Sequence, residues 1–387
     1  MLARGRACHW ARPGRACDAC GTRLAITEAG RPSSLPSEAD LRHLIAAAEL
    51  SLGSVGLTQP HPNAACVLVD PHGSLVAQAL QWAQGTESPE VQAAAAAGRA
   101  AMGATAYLNL ETGDCHGECA GVRALMGAGV RRVVVGLRHP LPHLRGVAIA
   151  ELRAAGLEVA VLGEAPCSAC DAGGSSSNGG ASLEQQARDA CLAANEPLLH
   201  RAATGRPMGV LKYAMTADGK IATAAGHSAW VSSPESRALV FETRAASDAV
   251  VVGGQTVRRD NPRLTTRREG GHQPARVVMS RTLDLPEEAH LWDVADAPTI
   301  IMTQRGARRD LQRRLRARGV EVVEFDFLTP AGVAAYCHER GFLQLLWECG
   351  GTLAAPAIAA GVIHKAMAFV APKLVSRRRL AEGLAPA

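Results

Sequence analysis

The residues of this chain best suited to chemistry gather between Ser247 and Arg267, in the stretch SDAVVVGGQTVRRDNPRLTTR. Thr256, Arg258, Arg259, Asp260, Arg263, Thr265, Thr266 and Arg267 offer guanidinium groups, hydroxyls and one carboxylate, the partners that anions and sugar hydroxyls need. They follow a short apolar run, Ala249 to Val252, that is all but entirely β-branched and closes on Gly253 and Gly254. Such a run predicts a buried strand opening into a tight turn, where backbone can approach a ligand closely. Ligands of open α/β sheets sit at the carboxyl ends of strands, so the stretch reads as the floor of a site for a phosphorylated ligand. The plainer alternative is a solvated basic turn.

Three further segments bear on the same site. LKYAMTADGKIA, Leu211 to Ala222, predicts a strand that ends at Asp218-Gly219 and restarts. GHSAWVSS, Gly226 to Ser233, sets small hydroxyls around Trp230. WECGGTLAAPA, Trp347 to Ala357, reads as a strand, a Gly-Gly turn and a helix start, whose free backbone N–H groups at the positive end of the helix dipole suit a pyrophosphate.

The elements that must carry these segments alternate between strand and helix. Strands are expected at Ala64–Val69, Leu75–Leu80, Thr105–Leu110, Val130–Val135 and Leu157–Leu162, with helices at Leu41–Leu52, Pro89–Met102, Gly117–Met126 and Val147–Ala155. This is an α/β sandwich. The low-complexity stretch from Gly163 to Ser182 reads as a linker or surface loop, a helix is expected from Leu183 to Leu199, and a second domain opens near Thr204-Gly205-Arg206-Pro207. There, strands at Val210–Met215, Ala249–Val252, Val277–Met279, Thr299–Met302, Val320–Phe325, Leu343–Trp347 and Ala366–Val370 predict a largely parallel sheet with helices on both faces.

Composition narrows the function classes. A length of 387 residues predicts about two domains, and no apolar run approaches the ~18 residues of a membrane span. Aromatic residues are only 3%, too few for base-stacking platforms. The net charge of +5 has its source in residues 1–36, where Arg4, Arg6, Arg12, Arg15, Arg23 and Arg31 face only Asp18 and Glu28. The remainder is close to neutral, which argues against a nucleic-acid surface. The Arg-rich, acid-poor leader resembles an organelle transit peptide. The eleven cysteines, including the CxxC pairs Cys17/Cys20 and Cys167/Cys170, read as reduced thiols rather than a disulfide framework or a zinc knuckle.

Taken together, LKYAMTADGKIA, HSAWVSS, GGQTVRRDNPRLTTR and WECGGTL resemble the reductase domain of the bifunctional riboflavin-biosynthesis deaminase/reductase family, from about Arg206 to Leu374. The resemblance implies a dihydrofolate-reductase-like α/β domain that uses NADPH to reduce the ribosyl group of 5-amino-6-(5-phosphoribosylamino)uracil to ribityl. It places Ser228, Arg244, Leu264, Arg267 and Glu348 at substrate positions. It places Ala214, Trp230, Thr256, Asp260, Ser280 and the run Gly350, Gly351, Thr352, Leu353, Ala354, Ala355, Pro356 at cofactor positions. Ile221 stands at a further cofactor position that is usually polar. Arg244 and Arg267 are expected to clamp the phosphate, and Glu348 to accept hydrogen bonds from pyrimidine N–H groups. Lys212 and Asp218 are catalytic candidates by position, with strand-edge and turn roles as the alternatives.

Residues 41–162 resemble the deaminase half of the same family, a cytidine-deaminase-like three-layer α/β/α domain. The family's zinc ligands and proton-shuttling Glu fall on Ser88, Glu90, Gly113 and Cys119, so the Glu and one Cys remain while the His and a Cys are replaced. A catalytic zinc needs about three protein ligands, so no metal is expected here unless Cys115 and His116 substitute. This pattern resembles the plant and algal branch of the family, reductases of the plastid with a degenerate deaminase domain. The implied layout is a leader at 1–36, a deaminase-like domain at 37–162, a loop and linker helix at 163–205, a reductase domain at 206–375 and an atypical tail at 376–387. The resemblance implies a small phosphorylated pyrimidine as partner and, given a complete C-terminus, a homodimer through the reductase domain, while composition implies no nucleic acid and no membrane. The alternatives are a bifunctional zinc enzyme and a non-catalytic ligand-binding scaffold.

Overall fold

The computed structural model of the chain describes residues 35–83, 86–113, 119–164, 181–223, 233–266 and 272–374, which divide into two compact units between Gly205 and Arg206. In the first unit α1 (Glu38–Ser51) starts on a capping box. The Ser37 hydroxyl accepts from the Asp40 N–H, and the Asp40 carboxylate accepts from the Ser37 N–H. There follow β1 (Ala65–Val69), β2 (Leu75–Leu80), α2 (Pro89–Ala97), β3 (Thr105–Leu108), α3 (Ala120–Gly127), β4 (Arg132–Val135), α4 (Val147–Ala154), β5 (Glu158–Val161) and α5 (Leu183–Thr204). The strands form one sheet in the order β2-β1-β3-β4-β5, antiparallel around β1 and parallel from β3 to β5.

Alternate residues of these strands face opposite layers, as the two-residue period requires. Cys66, Leu68, Leu108, Val133 and Val159 pack with α2, α3 and α4, while Val67, Val69, Tyr107, Val134 and Ala160 pack with α1 and α5. The result is the expected three-layer sandwich. Helix α5, expected to stop near Leu199, runs to Thr204 and ends at left-handed Gly205. It is built into this unit: Asn195 Oδ1 accepts from the Asn63 N–H, and Asn63 Nδ2 donates to the Ala194 carbonyl. Helix α2 stops at Ala97, short of the expected Met102, because Gly98 turns to φ +52°.

The second unit comprises β6 (Met208–Thr216), α6 (Pro234–Ala245), β7 (Ala249–Gly253), α7 (Gly254–Asp260), β8 (Ala275–Met279), β9 (Thr299–Gln304), α8 (Arg309–Ala317), β10 (Glu321–Phe325), α9 (Pro330–Glu339), β11 (Gln344–Trp347), α10 (Gly351–Ala359) and β12 (Lys365–Ala371). Its sheet has the order β10-β9-β8-β7-β11-β6-β12, with every described pairing parallel. Val250, Val252, Val278, Ile301 and Leu346 pack with α8 on one face; Val251, Val277, Ile300, Leu345 and Trp347 pack with α9 and α10 on the other. Burial on both faces explains why the strand sequences are apolar throughout rather than alternating. Two expectations need correction. After Gly253 the chain enters α7 directly instead of a free turn, and β6 ends at Thr216 with no second strand among the described residues up to Thr223.

Candidate active site

Parallel strands deliver their carboxyl ends to one edge, and the described parts of the segments at 211–222, 247–266 and 347–357 converge there. Glu348 follows β11 directly, with its N–H bonded to the Val251 carbonyl of β7 at 3.0 Å. Arg244, in the last turn of α6, meets it: Nε reaches Glu348 Oε1 at 2.6 Å and Nη2 reaches Oε2 at 2.9 Å. Nη1 donates to the Thr265 carbonyl at 2.9 Å. Both side chains of the pair are 12% exposed, so the two charges are shielded from bulk water and strongly coupled. Arg244 was expected at the substrate phosphate; in this structure its guanidinium holds a carboxylate and a loop.

That loop, 261–266, is fixed residue by residue. Asn261 adopts φ +40° and Leu264 φ +56°, left-handed conformations that cost energy for a side chain bearing a Cβ. Compensation comes from the surroundings. The His290 N–H donates to Asn261 Oδ1 at 2.9 Å, and Gln273 accepts from the Thr266 N–H at 2.8 Å while donating to its hydroxyl at 2.9 Å. Arg276, fully buried in β8, donates through Nη1 to the Arg263 carbonyl and through Nη2 to the carbonyls of Leu291, Asp293 and Ala297. The Leu264 side chain is core, 3% exposed, so what it can offer a ligand is backbone.

The glycine-rich elements stand at the same edge. A Cβ on Gly253 would lie 3.6 Å from the Leu353 side chain, so the end of β7 touches the start of α10. A Cβ on Gly254 would lie 3.1 Å from Ser280 Oγ, which places Ser280 beside the start of α7. Helix α10 begins at Gly351 with no capping side chain and with open space beside Gly350 and Gly351. An uncapped start with room for close approach fits the pyrophosphate of a dinucleotide. Thr352, Ala355 and Pro356 are exposed, Leu353 and Ala354 half-buried; Thr256 is half-buried and Asp260 exposed on α7.

Lys212 and Ala214 lie half-buried on β6. Burial pushes the Lys212 ammonium below its ordinary pKa; Glu348 pulls it back up and Arg244 pushes it further down, so the three groups share one electrostatic environment. Asp218 is exposed in the turn after β6, where the Thr216 hydroxyl donates to it at 2.5 Å, and Ile221 is also exposed. Ser228, Trp230 and Arg267 lie outside the described residues. Sequence reasoning missed Arg276 and Asp248. The Asp248 carboxylate accepts from the N–H groups of Leu343 and Gln344 and so sets the start of β11. The available signal was a charge embedded in, or bordering, an apolar strand.

In the first unit Ser88 caps the start of α2 without a side-chain bond and Glu90 lies in the first turn, 2% exposed. Among the described residues Ser88 Oγ and Glu90 Oε2 are buried without a well-formed hydrogen bond, and burial pushes the Glu90 carboxyl above its ordinary pKa against the smaller, opposite pull of the nearby Ser88 and Thr112 hydroxyls. Gly121 leaves room for this carboxyl, since a Cβ there would lie 2.9 Å from Glu90 Oε2 and 2.5 Å from Thr112 Oγ1. Gly113 supplies no ligand and the Cys119 thiol donates to Glu151 at 3.2 Å. Among the described residues no group of three metal-binding side chains occurs; Cys115 and His116 lie outside the described residues.

Fold and site together define a two-unit α/β protein whose second unit gathers the Arg244–Glu348 pair and the uncapped start of α10 at one edge of a parallel sheet. A family model, the RibD C-terminal domain, matches residues 207–385. The riboflavin biosynthesis protein PYRR, chloroplastic, of Arabidopsis thaliana is 55% identical over 329 residues, covering 85% of this chain and 53% of that protein. Its Zea mays counterpart of the same name is 53% identical, covering 89% and 54%. The chain thus spans about half the length of these plant relatives. Riboflavin biosynthesis protein RibD of Synechocystis is 40% identical, covering 87% of this chain and 85% of that protein. Among solved structures, Acinetobacter baumannii RibD superposes with a TM-score of 0.74 at 28% identity over 88% of each chain. The diaminohydroxyphosphoribosylaminopyrimidine deaminase/5-amino-6-(5-phosphoribosylamino)uracil reductase of Thermotoga maritima gives 0.72 at 25% identity over 89%.

The chain belongs to the RibD family of riboflavin-biosynthesis proteins. Its first unit is cytidine-deaminase-like and its second dihydrofolate-reductase-like.

Proposed function

We propose that the second unit, residues 206–375, is an NADPH-dependent reductase that converts 5-amino-6-(5-phosphoribosylamino)uracil to its ribitylamino product, and that the first unit has lost deaminase activity. The observation that carries this reading is the Arg244–Glu348 pair beside the Gly-rich start of α10, which joins a hydrogen-bonding carboxylate to a dinucleotide cradle at one sheet edge. When bound, NADPH would supply a hydride to the ribosyl carbon. The protein binds and orients. Glu348, held by two guanidinium N–H groups, presents its remaining lone pairs to pyrimidine N–H donors. The Leu264 backbone and Arg267 serve the phosphate end, with Ser228 nearby on the resemblance alone. Lys212, beside the pair and lowered in pKa by burial, is the group best suited to hold a proton near the reacting oxygen.

The loss of zinc chemistry is supported by Ser88 and Gly113, which stand where the resemblance puts a His and a Cys ligand and offer neither imidazole nor thiolate. The Arg-rich leader and the chloroplastic relatives support a plastid location. A homodimer through the second unit is supported by β12, a sheet-edge strand with Ala366, Ala368 and Val370 exposed. Incubation of the purified chain with the deaminated substrate and NADPH tests the reading. A product carrying two more hydrogens supports it; unchanged substrate despite cofactor binding would show a non-catalytic binding protein. Metal analysis of the same sample tests the first unit, and stoichiometric zinc would restore the bifunctional alternative.

A further inference from the structure

Arg276 is a buried charge that the chemistry above does not use. It stands second in β8, opposite Val250 of β7, and is fully buried. Its described hydrogen bonds all end on backbone carbonyls. Burial lowers its pKa, and the more distant charges of Asp296 and Asp293 offset only part of that cost. An apolar side chain of similar volume often serves stability as well as a buried ion does. It could not hold four carbonyls at once.

Those carbonyls belong to two segments. Nη1 reaches the Arg263 carbonyl at 3.4 Å, in the loop 261–266, while Nη2 reaches those of Leu291, Asp293 and Ala297 at 3.2, 2.5 and 2.7 Å. The segment 290–297 is rooted in the core by Leu291 and Trp292. It meets the loop at two further points. His290 donates from its N–H to Asn261 Oδ1 at 2.9 Å and from Nδ1 to the Asn261 carbonyl at 2.8 Å, and Arg263 Nη1 pairs with Asp296 Oδ2 at 3.2 Å. The loop is thus tied to the core at Asn261 and Arg263, directly before left-handed Leu264. Past Leu264, Arg244 holds the Thr265 carbonyl and Gln273 the Thr266 N–H. A residue with a Cβ stays left-handed only where the backbone is fixed on both sides.

We propose that Arg276 is a positioning residue of the substrate site. Through the Arg263 carbonyl and the segment behind it, Arg276 locks the 261–266 loop in the conformation that offers the Leu264 backbone to the phosphorylated end of the substrate. This rests on the proposed reductase function, so one readout of the test needs no turnover. Amide hydrogen exchange is measured on the full chain and on Arg276→Met, Arg276→Lys and His290→Ala, with steady-state kinetics and 2′,5′-ADP binding on the same samples. In Arg276→Met the amides of 263–266 exchange about tenfold faster or more. KM for the ribosylaminouracil phosphate rises roughly 10- to 100-fold, while kcat and the 2′,5′-ADP affinity change by less than about threefold. Arg276→Lys rescues little, because one ammonium cannot span the carbonyls of two segments. The His290 side chain is exposed, so His290→Ala keeps the fold and shows the same pattern more weakly; it carries the test if Arg276→Met does not fold. Unchanged loop exchange, faster exchange with an unchanged KM, full rescue by Arg276→Lys, or an equal loss of substrate and 2′,5′-ADP affinity overturns the assignment. Absence of turnover in the unsubstituted chain contradicts the reductase reading instead, and substrate affinity by calorimetry then takes the place of KM.

Discussion

Arg244 and Glu348, far apart in sequence, form a two-pronged ion pair with N···O distances of 2.6 and 2.9 Å, and the third arm of Arg244 holds the Thr265 carbonyl. One guanidinium therefore fixes both Glu348, the acceptor proposed for the pyrimidine, and the loop proposed to serve its phosphate. Arg244 thus organises the site before any ligand arrives.

Breaking this pair should cost the site more than the fold. Arg244→Met leaves a half-buried carboxylate unpaired and the loop unpinned, for a loss of about 2–3 kcal/mol at the pyrimidine site, or roughly 30- to 150-fold in kcat/KM. Arg244→Lys should rescue little, because one ammonium cannot bridge two carboxylate oxygens and a carbonyl. Steady-state kinetics together with 2′,5′-ADP binding check this, and the nucleotide affinity should stay constant.

Lys212 predicts the alkaline limb of the pH profile. Burial places its pKa below the ordinary 10.5, so kcat/KM should begin to fall at a pH lower than an ordinary lysine would give, as the ammonium loses its proton. Lys212→Arg keeps the charge and should move the limb to higher pH. An unchanged limb in that variant assigns it to another group.

Much of this architecture was legible in the sequence, and what was not has physical causes. Runs such as Ala249–Val252 announce buried strands because β-branched residues suit a sheet covered on both faces. Gly350-Gly351 announces a helix start because two residues without side chains after an apolar strand leave the first backbone N–H groups open to a ligand. The pairing of Arg244 with Glu348 could not be read, since periodicity carries no information about partners so distant in the chain. Leu264 gave no sign of its left-handed backbone because leucine ordinarily avoids it; only the clamps from Arg276, Gln273 and His290 make it tenable. Helix α2 was overextended because alanine spacing masks Gly98 as a stop.

Glu90 should make the first unit less stable as pH rises. Its folded pKa lies above the ordinary 4.5, so between these values the unfolded chain releases a proton that the folded chain keeps, and stability falls until the folded carboxyl also ionises. Glu90→Gln removes the effect and should stabilise the protein at neutral pH by about 1 kcal/mol, a rise of a few degrees in melting temperature. Thermal melts at neutral pH and below 4.5 check this, with the difference between variants shrinking in acid.

Asp40 behaves in the opposite sense. Burial works against its charge, but bonds from Arg132, the Ser37 backbone and Tyr107 outweigh it and hold the carboxyl below the ordinary 3.8. Its contribution is present above that value and is lost as pH falls through the folded pKa. Asp40→Asn should cost about 3 kcal/mol at neutral pH, because it leaves the Arg132 charge short of a buried partner, and should flatten the acid limb of the stability profile. Urea unfolding across pH measures both.

The proposed reductase depends on another protein for deamination. Its most direct test supplies the purified chain with NADPH and either the deaminated ribosylaminouracil phosphate or its undeaminated precursor, and follows loss of the reduced nicotinamide absorbance. Turnover of the first substrate and none of the second is the predicted result. Turnover of both, with ammonia released from the precursor, would contradict it.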